Sequence, residues 1–403
     1  MKFWDTTIQT FDFDKSRSEM IANLDMMASM SVQEQTLYKK WVELNADLHS
    51  SYSKLSAYSV GYDSIWQPTD IMDKDLTISE INNLNPIVEI VEDSDEASKW
   101  SDLRRMIHTM DFTPNPGRNV KIYVRNGDNG KLLGLISLGS DITSLAVRDN
   151  YIGWTKEHKF EIGRLNNTTI ATSIVPTQPF GYNFLGGKLV AALATSKQVR
   201  DYWYEKYNNI LIGVGTTSLY GSHSMYKNIP HFKHLGHSAG KISIKPDDKF
   251  YDPWHQWLKE NHADWYAEEI TEERARNGES MGYDRNGPVS GIKQKILGKI
   301  FKEIGIRADA YHHGFERGVY YANLYENGND FLCCKIAEAD LVLKPKFMQG
   351  IDYTMQWWKE KAINRYVRLH SENKLKSDKL FYYDLIGMSW EDCKEKYLKE
   401  VGR

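Results

Sequence analysis

Apolar residues in the first stretch of the chain recur at three- and four-residue steps: Ile21, Leu24, Met27, Leu37, Trp41, Leu44 and Leu48. That spacing predicts helices over residues 17 to about 60 that pack through one stripe. The segment from Asp70 to Asp95 is looser. Within it, Ser79–Pro86 predicts a short capped turn, and Asp93-Ser94-Asp95-Glu96 predicts an N-cap for a helix through Trp100, Leu103, Met106 and Ile107. The period then falls to two. Val120 to Val124 alternates, Asn126-Gly127-Asp128-Asn129-Gly130 is a turn sequence, and Leu132 to Leu138 is apolar again, which predicts an antiparallel hairpin over 118–138.

The central stretch runs from Ile170 to Pro246. A β-branched run, Thr169 to Pro176, predicts a strand, and a glycine loop follows from Phe180 to Lys188. Leu189–Ala194 continues at helical spacing to Val199, Tyr202 and Trp203, and Ile210–Gly215 reads as a second strand. A dense polar segment, Thr216 to Tyr226, closes the unit. Further on, the pattern predicts helices around Trp254, Trp257 and Trp265, a charged segment at 268–277 and an amphipathic helix through Ile292–Ile304. A strand at 318–325 and helices through Met355–Val367 and Trp390–Tyr397 finish the chain. The expected class is α/β (α+β), in three regions: a helical 1–95, a core domain 96–250 with a mixed sheet, and an α+β region 251–403.

A hydrophobic content of 41% with 26% charged residues excludes a disordered chain. Aromatics reach 12%, which fits either a heavily packed core or a surface that stacks on planar ligands such as bases. The net charge of -3 excludes a protein that is basic all over. Between Arg148 and Lys249, however, thirteen Lys/Arg face seven Asp/Glu, an excess fit to hold phosphates, or an ordinary solvated face. Cys333, Cys334 and Cys393 show no metal-type spacing and are expected as reduced, buried thiols. No run approaches the ~20 apolar residues of a membrane span and the N-terminus lacks a signal-peptide pattern, so no membrane is expected and the expected location is cytoplasmic.

Three constellations can carry chemistry. Gly181, Gly186, Gly187 and Lys188 precede a helix, where glycines let a phosphate approach unpaired N–H groups; a tight packing turn explains the same glycines. Lys188 is followed by Leu189, which excludes the P-loop of nucleotide triphosphatases. The second constellation is Tyr220, His223, Ser224 and Tyr226, with His231, His234 and His237 downstream. A tyrosine can protonate a leaving group and a histidine can take a proton near neutral pH. The four histidines also invite zinc or iron, although their spacing lacks an i, i+4 pair and no ligand set is assigned, and a polar loop with backbone-bonded histidines is the plain alternative. Third, His312, His313, Arg317 and Tyr320 lie around the start of a strand, where they either grip phosphate and stack on a base or serve the structure.

The order of hairpin, strand, glycine loop, helix, strand and tyrosine-bearing loop over about 118–246 resembles the acyl-CoA-dependent N-acyltransferase (GNAT) superfamily. Tyr151-Ile152-Gly153-Trp154, the helix that follows, and Gly221–Tyr226 running on to Leu235-Gly236-His237-Ser238-Ala239-Gly240 resemble the Druantia DruA-type family of anti-phage and phage-borne proteins. The same loop is similar to the Mom family of phage DNA-modifying enzymes. These resemblances imply a GNAT-like mixed sheet and an acetyl-CoA or related acyl-CoA at Gly181, Gly186, Gly187 and Lys188. They imply Tyr226, His223, Ser224 and Tyr220 as catalytic residues that transfer a small group to a nucleobase amino group. DNA is the expected partner, positioned by Arg148, Arg164, Lys227, Lys233, Lys241 and Arg317 and stacked on Tyr151, Trp154 or Tyr320. Further expected partners are defence-system subunits or a second copy of the chain. The alternative is a non-catalytic nucleic-acid-binding component of a defence or counter-defence system.

Overall fold

The computed structural model describes residues 11–48, 51–52, 64–108, 110, 117–218, 225–271, 292–307, 310–377, 379 and 382–401. In chain order the elements are α1 (Phe13–Ser29), α2 (Val32–Asn45), α3 (Lys74–Asn83), β1 (Pro86–Val91), α4 (Ser94–Ile107), β2 (Asn119–Asn126), β3 (Leu132–Ser140) and α5 (Ala146–Ile152). They continue with β4 (Thr168–Pro176), α6 (Phe180–Asn183), α7 (Gly186–Leu193), α8 (Lys197–Tyr207), β5 (Gly213–Ser218) and β6 (Lys233–Ser243). The last are α9 (Tyr251–Asn261), α10 (Ala263–Tyr266), α11 (Ile292–Glu303), β7 (His312–Asn323), α12 (Gly328–Leu332), α13 (Pro345–Met348), α14 (Ile351–Ser371) and α15 (Trp390–Val401). Short 3-10 and π turns link several of them.

Seven strands form one mixed sheet in the order β1-β2-β3-β4-β5-β7-β6, so the fold is mixed α/β. The predicted hairpin is present: β2 and β3 pair antiparallel from Asn119–Gly139 to Arg125–Leu132. The predicted cap is present too, with Asp93 Oδ1 accepting from the backbone of Asp95 and Glu96 (2.8 and 3.0 Å) and starting α4. Trp100 on that helix is fully buried and donates Nε1–H to Ile122 O on β2 (3.0 Å).

Three expectations need correction. The loose stretch 70–95 holds a ten-residue helix, α3, capped by Asp73, and then the edge strand β1, paired antiparallel with β2. The second strand begins at Gly213, not Ile210. Leu211 and Ile212 are buried, but their backbone leads into the strand, with Ile212 N–H donating to Asn167 O and Ile212 O accepting from Leu324 N–H. The helix through 189–203 is two helices, α7 and α8. The Thr195 hydroxyl bonds back to Ala192 O (2.7 Å) and Ser196, with extended backbone, opens α8.

The chain divides into two compact units, 1–42 with 242–314 and 394–403, and 43–241 with 315–393. In the first, α1 buries Met20, Leu24 and Met27, and Asp247 accepts from Asn23 Nδ2 (2.8 Å) and Tyr38 OH (2.9 Å). The second holds the main core. On one face of the sheet Ile122, Leu133, Ile136 and Ile174 pack with Tyr320 of β7 and with Val190, Trp203 and Trp358 from α7, α8 and α14. On the other, Ile152, Trp154, Ile212, Tyr321, Phe331 and Leu332 form a smaller cluster.

Candidate functional site at the strand junction

β4 and β5 run parallel but stay in register over only three positions, Thr168–Gly213 to Ile170–Gly215. β4 continues to Pro176 and β5 to Ser218, so the strands part towards their C-terminal ends. Past the last pair, the Thr216 hydroxyl bonds to Ala171 O (3.2 Å) in place of the ladder. Diverging C-terminal ends of parallel strands are where α/β sheets open a crevice for ligands. Here β4 leads through α6 to the N-terminus of α7, and β5 leads into the loop that carries the catalytic candidates.

Of those candidates, Tyr220, His223 and Ser224 lie outside the described residues, as does the side chain of Lys241, whose backbone is in β6. Tyr226 is buried. Its ring lies 6.4 Å from that of Phe232 and 5.5 Å from that of Tyr320, and its hydroxyl shares a hydrogen bond with the Thr216 hydroxyl. Burial pushes its phenol up to about 12, so it is neutral at ordinary pH. Beside it on β6, His234 packs on the Tyr320 ring (4.8 Å) and edge-on to His237 (5.3 Å). Desolvation, then the neighbouring His237 and Lys227, lower the His234 pKa and favour the neutral imidazole. The sequence places Thr216 only at the start of a polar loop; nothing local to it signals that its hydroxyl would bond to β4.

The glycine loop is crowded. A Cβ at Gly186 would overlap the Phe180 ring, one at Gly187 would come within 2.6 Å of Met225 Sδ, and one at Gly181 within 2.8 Å of Gln178 Nε2. Close packing accounts for Gly186, against the Phe180 ring, and for Gly181, whose Cβ would also come within 2.9 Å of Pro176 Cγ, whereas Gly187 meets only the flexible end of Met225. Lys188 bends over the following loop and donates to Met225 O (2.9 Å) and Lys227 O.

The candidate nucleic-acid contacts divide into three groups. Arg148 and Trp154 are interior: Arg148 is ion-paired to Asp141 (2.5 Å) and Asp149 (2.7 Å), and Trp154 Nε1–H donates to Asp149 (2.9 Å). Burial would raise the Asp149 carboxyl, but hydrogen bonds from Lys159, Arg148 and Trp154 outweigh it and hold the pKa below the usual value. The Arg164 guanidinium lies on the Phe331 ring (3.9 Å), a packing contact, and Arg317 is half-buried on β7. Lys227 and Lys233 are exposed, Lys233 with its ammonium over the Tyr151 ring (4.5 Å). Because side chains alternate along β6, Lys233 serves the Tyr151 face of the sheet and His234 the Tyr320 face.

Cys333 and Cys393 are buried as expected, but Cys334 is exposed. Among the described residues, no three His, Cys, Asp or Glu side chains gather as metal ligands, and no helix is long and apolar enough to cross a membrane.

Comparison with known proteins places this architecture. The family model described as Druantia protein DruA matches residues 54–333. Druantia protein DruA of Escherichia coli (strain UMEA 4076-1) is 26% identical over 278 residues, covering 64% of this chain and 64% of that protein, so the chain spans less than two thirds of the relative's length. No solved structure matches. The family match takes in every strand of the sheet, from β1 to β7, with the junction at its centre, and the chain belongs to the Druantia protein DruA family.

Proposed function

We propose that the chain is a nucleic-acid-binding component of an anti-phage defence system of the Druantia type, working alongside other subunits of that system. One observation carries the binding reading. At the edge strand β6 and the turn before it, planar rings and cations lie together on both faces: Lys227 and His234 with Tyr320 on one, Lys233 over Tyr151 on the other. Neither Lys227 nor Lys233 takes part in an ion pair among the described residues. Lysines hold phosphates without regard to sequence, and the exposed His234 ring and the partly exposed Tyr151 ring can face an unstacked base, while the Tyr320 ring is buried beneath His234 and only supports it. A neutral His234 adds a donor and an acceptor for a base edge. Fluorescence anisotropy with labelled DNA and RNA between about 50 and 200 mM salt tests the reading. Binding that falls steeply with salt and weakens in Lys227→Ala and His234→Ala supports it; no binding by the intact chain refutes it.

A second reading, transfer of an acyl-derived group to a nucleobase amino group by a GNAT-like, Mom-like enzyme, draws on the crevice itself. The strands part at the N-terminus of α7, and a neutral, buried Tyr226 phenol can donate a proton there. The packed glycines weigh against a pyrophosphate cradle at that terminus. Calorimetry with acetyl-CoA and mass spectrometry of nucleosides from expressing cells test it; absence of both a binding heat and an added mass removes it.

A further inference from the structure

The long helix α14 buries Met355, Trp358, Ala362, Tyr366 and Leu369, the stripe of a helix packed on a core. One flank of that stripe is anchored by Lys359 Nζ donating to Asn82 O and by His370 bonded to Met72 O. The opposite flank carries Lys361, Arg365 and Arg368 at i, i+4 and i+7, a row about 10 Å long at about 1.5 Å per residue. This flank faces the glycine segment: Arg365 Nε donates to Tyr182 O (2.6 Å) and Trp358 Nε1 to Leu185 O (3.2 Å). The Tyr182 ring has the Arg365 guanidinium and the Lys376 ammonium each 4.9 Å from its centre.

The cations are close enough to disfavour one another. The Lys188 pKa is lowered by burial and then by Lys361, and that of Arg365 by burial with a contribution from Arg368. None of Lys188, Lys227, Lys361, Arg365 or Arg368 joins an ion pair among the described residues. Glu372, at the end of the row, is bonded to Lys374 (3.0 Å). Glu372 also attracts Arg368 and tempers that end of the row, but the cations outnumber it, and like charges kept together in this way fit a polyanion that spans several of them.

We infer that the face running from Lys227 and Lys188 across α14 to Arg368 is a track for the phosphodiester backbone of a nucleic acid. The inference rests on the nucleic-acid reading above and adds to it a surface beyond residue 333, where the family match ends. A membrane surface fits less well, because none of the exposed large apolar side chains lies on this row.

The test is anisotropy of the full chain with a labelled strand of about 30 nucleotides and its duplex, over about 50–200 mM salt. Wild type is compared with Lys361→Ala/Arg368→Ala, two exposed positions, and with Lys206→Ala, an exposed cation on α8, as control. Two lost phosphate contacts should flatten the slope of log K against log salt by about 1.4–1.8 and weaken binding on the order of tenfold at about 100 mM salt, with the control unchanged. A double variant with wild-type slope and affinity overturns the track while leaving the nucleic-acid reading intact. No binding by wild type overturns both, as does binding to phosphatidylglycerol vesicles in place of either oligonucleotide.

Discussion

His231 supplies a direct test of the core beside the junction. Its side chain is buried, with Nε2 3.3 Å from the Thr195 hydroxyl and the ring against Phe232 (5.4 Å) and Phe347 (5.3 Å). Burial, then the charges of Lys346 and Lys344, lower its pKa from 6.5 to about 3, against a smaller opposing contribution from a hydrogen bond to Ala192. The unfolded chain, whose histidine titrates near 6.5, therefore binds a proton that the folded chain refuses. Stability from this group is complete above about pH 6.5 and is lost as the pH falls towards the folded pKa. Between about pH 7.5 and 5 the loss is about 2 kcal/mol, from about 1.36 kcal/mol per pH unit acting over the roughly 1.5 units below 6.5. Urea unfolding of wild type and His231→Gln at both pH values measures it. Wild type should lose about 2 kcal/mol more than the variant on acidification, whatever the variant costs at the higher pH. Equal losses in the two proteins would show that His231 is free to ionise in the folded state and would refute the argument.

Removing one partner of the buried Arg148–Asp141 pair, in which both side chains are 1% exposed, leaves a carboxylate without its counter-ion. Arg148→Met should cost about 3–5 kcal/mol in urea unfolding, and Arg148→Met/Asp141→Leu should recover much of that loss. Gly186→Ala drives a methyl into Phe180, which Trp66 and Trp358 fix at 5.5 Å each; the overpacking of about 1–3 kcal/mol should exceed the helix-propensity gain of at most about 1 kcal/mol and lower the urea midpoint. Gly298→Ala on α11 has nothing within 4 Å of the new Cβ and should raise stability by about 0.5–1 kcal/mol in the same assay.

The packed glycines and the buried ion pairs resist a reading from sequence for the same reason. A glycine before a helix looks identical in sequence whether it admits a phosphate or a neighbouring side chain, and at Gly186 and Gly181 only the positions of Phe180 and Pro176 separate the two. Arg148 likewise counts towards a basic segment, yet its charge is neutralised by Asp141 and Asp149 inside the fold. What remains for a polyanion is set by exposure, and it draws on exposed cations as far apart in sequence as Lys227 and Arg368.

By itself the sequence determined the elements whose causes are local. The β2–β3 hairpin follows from period-two alternation around Asn126–Gly130, the start of α4 from the Asp93 side chain, and the inner face of α14 from its apolar spacing. Tertiary structure decided the rest, because the deciding partners are remote in the chain. β1 is a strand through its pairing with β2, which begins nearly thirty residues after β1 ends and meets it at Ile87–Arg125 and Val88–Val124. Ile212, the last apolar residue before β5, is tied to residues flanking both neighbouring strands, Asn167 before β4 and Leu324 after β7. The junction of β4 with β5, the burial of Tyr226, and the alignment of α14 with the glycine segment all depend on contacts that close loops of tens to hundreds of residues, and no local pattern records which loops close.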